Sequence, residues 1–174
     1  MKHRMKKSKR TTKGLIYPIS ALLLLVILIY NPVSVRIMTV GVAIYYKLNP
    51  VVFYRLIKTE SAFRSLAVSP RHAIGLGQVK QSTAHYLVDG HDPKLLYTPL
   101  YNLKTSAKYL LYLKSRFKGN WSLMLAAYNW GETAVSRRMR NVAISPKEDY
   151  RDRFKDVPET YNYIAKVLGP PKKA

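Results

Sequence analysis

Glu60 is the only carboxylate in the first 88 positions of this 174-residue chain. An apolar stretch with helical spacing, running from Pro50 through Phe53, Leu56 and Ile57, leads directly into it. A carboxyl that is to donate a proton at neutral pH must hold that proton, which requires a pKa raised by apolar surroundings. Phe53, Leu56, Ile57 and Phe63 are placed to supply them. The chemistry this suits is protonation of a leaving oxygen. Enzymes that hydrolyse glycosidic bonds usually add a second carboxylate at a defined separation from the first. Here Asp89, Asp92, Glu132, Glu148, Asp149, Asp152 and Asp156 fall in turn-like or charged segments, and Glu159 opens a helix, where an acid favours the helix dipole. No second acid stands out.

Residues 61–78 are rich in turn formers, with Gly75 and Gly77 where backbone can pass close to a ligand. This is the layout of a cleft wall. From Glu60 onward the chain resembles the lytic transglycosylases that have a soluble-lytic-transglycosylase-like, goose-type-lysozyme-like catalytic domain. Their first motif is similar to Glu60, Ser61, Ala67, Ser69, Ala73, Gly75, Leu76, Gln78, Thr83 and Ala84. The second matches Ala126, Ala127, Tyr128, Asn129 and Gly131, and the third Glu159, Thr160 and Tyr163. Between them, Asn102, Leu103, Tyr109 and Leu110 resemble a family helix that usually has Gly where this chain has Ser106. The resemblance covers residues 49–168, and three spaced motifs in order are a specific signal.

That resemblance implies a mainly α, lysozyme-like domain that cleaves the MurNAc-GlcNAc β-1,4 bond of peptidoglycan without water and leaves 1,6-anhydroMurNAc ends. Glu60 would act as acid and then as base, assisted by the substrate's N-acetyl group. It also implies that Ser69 approaches the glutamate, that Gln78, Tyr128 and Asn129 line sugar subsites, and that Tyr163 points its hydroxyl into the cleft. Each residue has a plainer reading. Ser69-Pro70 is an ordinary turn, Tyr128 and Tyr163 suit a core, and Asn129 can end a helix beside Gly131. Family members often have Gly at position 72, Met at 77 and Met-Pro at 80–81, where this chain has His72, Gly77 and Lys80-Gln81. The missing methionine, which in the family packs against bound sugar, is expected to open a gap in a subsite. A non-catalytic glycan-binding scaffold and a hydrolytic lysozyme are the two alternatives on the same fold.

Seven of the 30 Lys and Arg residues lie within residues 1–13, and an uncharged run follows from Gly14 to Tyr30. These read as a basic cytoplasmic tail (1–13) and a single transmembrane helix (14–34), with the positive-inside bias directing the rest outward. No small-residue cleavage site follows the run, which favours an uncleaved signal anchor over a removed signal peptide. The expected location is the inner, cytoplasmic membrane, with the catalytic domain (35–168) facing the periplasm or cell wall and a flexible basic end (169–174). Residues 35–46 are too short to span and read as the domain's first helix.

Outside the tail, 23 basic residues against nine acids leave +14 of the net +21, which suits anionic glycan, polymer or lipid partners. No helix-turn-helix, zinc or RNA-binding signature supports nucleic acid. Cysteine is absent, and the histidines at 3, 72, 85 and 91 have no ligand spacing, so neither metal nor cofactor is expected. The expected partners are glycan strands, the membrane and an envelope-machine protein of unknown identity. Helical spacing of Leu103, Ala107, Leu110, Leu113 and Phe117 predicts an amphipathic helix, and the all-round apolar segment from Trp121 to Trp130 predicts a central one. A last helix from Pro158 is expected to bury Tyr161, Ile164 and Leu168. No strand alternation is visible, and residues 141–157 read as a long surface loop.

Overall fold

The computed structural model describes residues 11–170; residues 1–10 of the basic tail and residues 171–174 of the C-terminal end lie outside the described residues. Among those described, the chain is mainly helical: α1 (Thr11–Tyr30), α2 (Pro32–Tyr45), α3 (Pro50–Ser61), α4 (Gln81–Leu87), α5 (Pro99–Arg116), α6 (Trp121–Trp130), α7 (Glu132–Arg138) and α8 (Pro158–Leu168). Short 3-10 turns occupy Pro93–Tyr97 and Arg151–Phe154.

Helix starts follow local chemistry. The Asn49 side chain accepts from the amides of Val51 and Val52, and Pro50 takes a position where no amide is needed. Asn31, accepting from the Val33 amide, and Pro32 start α2 in the same way, and this second start breaks the helix that the sequence suggested across 14–34. No single described helix is long and apolar enough to cross a membrane; Tyr17–Tyr30 and Pro32–Tyr45 together are, as a pair bent by 59°.

The core gathers Phe53, Leu56 and Ile57 of α3, Leu103, Ala107, Leu110 and Leu113 of α5, and Ile164 and Val167 of α8 around α6, where residues 122–127 are all buried. The α5 stripe and the central place of α6 are as the periodicity predicts. In α8 Ile164 is buried as expected, but Thr160, Tyr163 and Val167 are buried in place of Tyr161 and Leu168, with the hydroxyls of Thr160 and Tyr163 turned inward to partners.

Two expectations are corrected. Residues 73–80 form a small antiparallel hairpin, β1 (Ala73–Ile74) and β2 (Val79–Lys80), too short for alternation to register. Residues 141–157 are no surface loop, because Tyr150 and Phe154 are fully buried. The segment is stapled down by Asn120, whose side-chain amide donates to the carbonyls of Ser145 and Glu148 at 2.7 Å while its oxygen caps α6. Arg138 fastens the same segment from α7. It makes a two-pronged pair with Asp156 and lies 4.7 Å over the Trp130 ring.

Candidate active site

Helix α3 ends immediately after Glu60, where Ala62 and Phe63 take the left-handed conformation in succession, with φ of 52° and 63°. Non-glycine residues rarely adopt it, and here it turns the chain sharply away from the acid. Phe53, Leu56, Ile57 and Phe63 are all buried, as expected of an apolar setting. Glu60 itself is partly buried and lines a cleft of about 550 Å³. Ser69, Gln78, Tyr128 and Asn129 line the same cleft. Tyr163 reaches Glu60 from behind, with its hydroxyl donating to Oε1 at 2.5 Å.

Loss of water around Glu60 pushes its pKa up to about 7; the Tyr163 bond opposes the rise and the charge of Glu159 adds to it. A carboxyl tuned there holds a proton near neutral pH and can also give it up. Burial raises the hydroxyls of Tyr128 and Tyr163 well above their ordinary value, followed in each case by the charge of Glu60, so both stay neutral hydrogen-bonding groups.

The opposite wall is the hairpin, and its position depends on Asn102. That buried amide accepts from the Gly77 N–H and donates to the carbonyls of Ile74 and Leu96, each at 2.8 Å. Gly75 passes so close, with φ of 74°, that a Cβ there would lie 2.3 Å from the Asn102 nitrogen. Tyr128 extends across from α6 and donates to the Gly77 carbonyl at 2.7 Å. Gln78 has φ of 48°, and its amide nitrogen donates to the carbonyls of Gly75 and Ala67. The Ser69 hydroxyl accepts from the Ala73 amide, and Asn129 accepts from Thr160. Both are thereby oriented within the cleft wall. His72 is a left-handed turn residue, with φ of 57°, which accounts for glycine being common there.

The gap expected beside Gly77 does not exist. A Cβ at that position would lie 1.9 Å from Ser106 Oγ and 2.9 Å from the Tyr128 hydroxyl, so serine and tyrosine already fill the space. The two departures from the family pattern, Gly77 and Ser106, are therefore one packing solution. Glycine is needed at 77 for room and not for its backbone angle.

Several cleft residues lie outside the set expected from the sequence. Among them are Arg71, Tyr109, Trp130 and Glu159, an acid that the sequence places in the third motif and at a helix start but not at the cleft. Glu159 alone among the eight other acids lines the cleft; Glu132, Asp149, Asp152 and Asp156 pair with Arg116, Arg151, Lys155 and Arg138. The signal that could have found it was the third motif itself, in which Glu159 stands four residues before Tyr163. Among the described residues, no three His, Asp or Glu side chains gather as a metal site.

Comparison with known proteins bears on the family and the fold. A putative tributyltin chloride resistance protein of Alteromonas sp. (strain M-1) is 32% identical over 91 residues, 48% of this chain and 41% of that protein. An inactive mutant of the lytic transglycosylase Slt from Pseudomonas aeruginosa superposes with a TM-score of 0.66 at 28% identity, over 76% of this chain and 22% of that one. The 70 kDa soluble lytic transglycosylase of Escherichia coli gives 0.59 at 27% identity, over 70% and 21%. The chain thus spans less than half of the first and about a fifth of the other two. The transglycosylase SLT domain model matches residues 42–151, from the end of α2 to the 3-10 turn before α8, and on that match this chain belongs to the transglycosylase SLT domain family.

Proposed function

We propose that this protein is a peptidoglycan lytic transglycosylase with Glu60 as its catalytic residue. The observation that carries the reading is one carboxyl, raised to about 7 by burial, at the wall of a cleft of about 550 Å³ and held there by Tyr163. Glu60 gives its proton to the glycosidic oxygen between MurNAc and GlcNAc as the bond from C1 to that oxygen breaks. The N-acetyl oxygen of the same MurNAc stabilises the cationic C1. The Glu60 carboxylate then takes the proton of the 6-hydroxyl as that oxygen bonds to C1, which closes the 1,6-anhydro ring and restores the acid. No water is consumed. Ser69, Gln78, Tyr128 and Asn129 line the sugar subsites, and Tyr163 keeps the Glu60 carboxyl facing the cleft.

The N-terminal segment is proposed to anchor the protein in the inner membrane, with the catalytic domain outside the cytoplasm. Residues 22–29 of α1 are apolar and exposed on every side, a surface that suits lipid, and seven basic residues precede them.

Digestion of purified sacculi with the full chain, read by mass, tests the activity. Anhydro-ended muropeptides are the expected products; reducing ends one water heavier would indicate a hydrolytic lysozyme, and binding without release a scaffold. Glu60→Gln is expected to abolish release while sacculus binding survives. Undiminished release by that variant would refute the assignment.

A further inference from the structure

One helical face of the domain has no covering among the described residues. Val33, Ile37, Val40 and Ile44 of α2 recur at intervals of four, three and four, which sets them in a single stripe. They are 60%, 68%, 37% and 63% exposed. The core face of α2, formed by Val35, Thr39, Val42 and Ala43, lies on the opposite side. Both faces of this helix are therefore apolar, although its inner face alone accounts for its packing in the domain.

We propose that this outer stripe rests on the lipid bilayer, so that the catalytic domain is held against the membrane surface and is not free on a tether. The inference depends on the anchor reading of α1. Only Asn31 separates α1 from α2, so the apolar, exposed residues 22–29 lie one turn before the stripe begins at Val33. The 59° bend suits such an arrangement. With α1 upright in the bilayer, α2 turns toward the membrane plane, the orientation of an interfacial amphipathic helix. The joint is also braced, because the Tyr30 hydroxyl donates to the Tyr97 carbonyl at 3.3 Å and ties the foot of α1 to the domain. The chain's excess of basic residues, with exposed Lys47 just past the end of α2, favours anionic headgroups. A second copy of the chain is a poorer occupant. Four aliphatic side chains offer on the order of 400 Å², half of the roughly 800 Å² per partner that a stable dimer buries.

The chain has no cysteine, so single spin labels can be introduced cleanly. The full chain is reconstituted in vesicles of phosphatidylethanolamine and phosphatidylglycerol, with a nitroxide attached through Leu25→Cys, Ile37→Cys, Ile44→Cys or Lys58→Cys. Retained sacculus digestion verifies folding of each variant. Relaxation by oxygen and by a water-soluble nickel chelate then reports the surroundings. At Ile37 and Ile44 oxygen is expected to exceed nickel, as at Leu25, with the reverse at the exposed position Lys58 of α3. Nickel access at Ile37 and Ile44 equal to that at Lys58, with Leu25 in lipid, would overturn the inference and leave the anchor standing. Nickel access at Leu25 as well would overturn both. Shielding of the stripe from both reagents would overturn it in favour of a protein contact.

Discussion

The Tyr163 hydroxyl and Glu60 Oε1 lie 2.5 Å apart, so the last helix of the domain holds the carboxyl that ends the third. Because the hydroxyl can only donate to the ionised acid, the bond favours the carboxylate and restrains a pKa that burial has raised to about 7. In the proposed reaction the protonated form starts the chemistry. Turnover per encounter should therefore fall on the alkaline side with a midpoint near 7, about tenfold per pH unit beyond it. Tyr163→Phe removes the restraint and moves that midpoint to higher pH. Glu159→Gln removes a neighbouring negative charge and moves it lower. Profiles of kcat/KM for the two variants check the signs, and shifts in the same direction would contradict this account of the site.

The same carboxyl makes stability depend on pH. In the folded protein Glu60 keeps its proton up to about 7, against 4.5 when freely solvated, so between these values the folded state binds the extra proton. The stability linked to this group is fully present below 4.5 and is lost as pH rises through 7. Replacing the acid with an amide removes the loss. Glu60→Gln should match wild type near pH 4.5 and exceed it by about 3 kcal/mol above pH 7.5, following 1.36 kcal/mol per pKa unit. Denaturant unfolding of the full chain in detergent at several pH values measures the difference. A pH-independent offset would show that Glu60 is not desolvated.

Gly77 and Ser106 form a second coupled pair. Gly77→Ala places a Cβ against Ser106 Oγ and the Tyr128 hydroxyl, an overpacking that typically costs about 1–3 kcal/mol. Ser106→Gly alone loses the bond from its hydroxyl to the Asn102 carbonyl, worth about 1 kcal/mol. Together the two changes make room for one another. The double variant should be more stable than the sum of the single costs by about 1 kcal/mol or more, as residues in direct contact couple. Sacculus release should recover with it, because Tyr128 regains its place over the Gly77 carbonyl. Strictly additive unfolding energies would deny the compensation.

How far the sequence disclosed this site depended on the length of each signal. Glu60 was legible because nothing else in its half of the chain is acidic, and α5 because its apolar stripe persists over 18 residues. The hairpin was not, since two residues per strand carry no periodicity. The segment before α8 was misread because its charged side chains conceal two buried aromatics, Tyr150 and Phe154, spaced by four. Glu159 was undervalued for a different reason. Its place at a helix start explains an acid sufficiently, and only the fold brings it to the cleft beside Glu60. Gly77 was misjudged because the side chain that fills its space comes from a residue 29 positions away.

Asn102 should prove the most sensitive of the polar residues outside the cleft. It lies on α5, fully buried, and uses its oxygen and one hydrogen on the hairpin, at Gly77 N–H and Ile74 C=O, and its other hydrogen on Leu96 C=O of the 3-10 turn 93–97. This one amide thus ties both the hairpin and the 3-10 turn to α5. Asn102→Ala strands all three groups, and each buried, unpaired polar group costs about 1–3 kcal/mol. Water entering the space left by the side chain would offset part of that cost, so the expected loss is about 3 kcal/mol by denaturant unfolding. Asn102→Asp should cost more, because a carboxylate keeps the bond from Gly77 on one oxygen but turns its other, acceptor oxygen toward two carbonyls. If Asn102→Asp were instead the milder change, the amide would not be positioning the hairpin, and the cleft wall would owe its shape to the glycine turns alone.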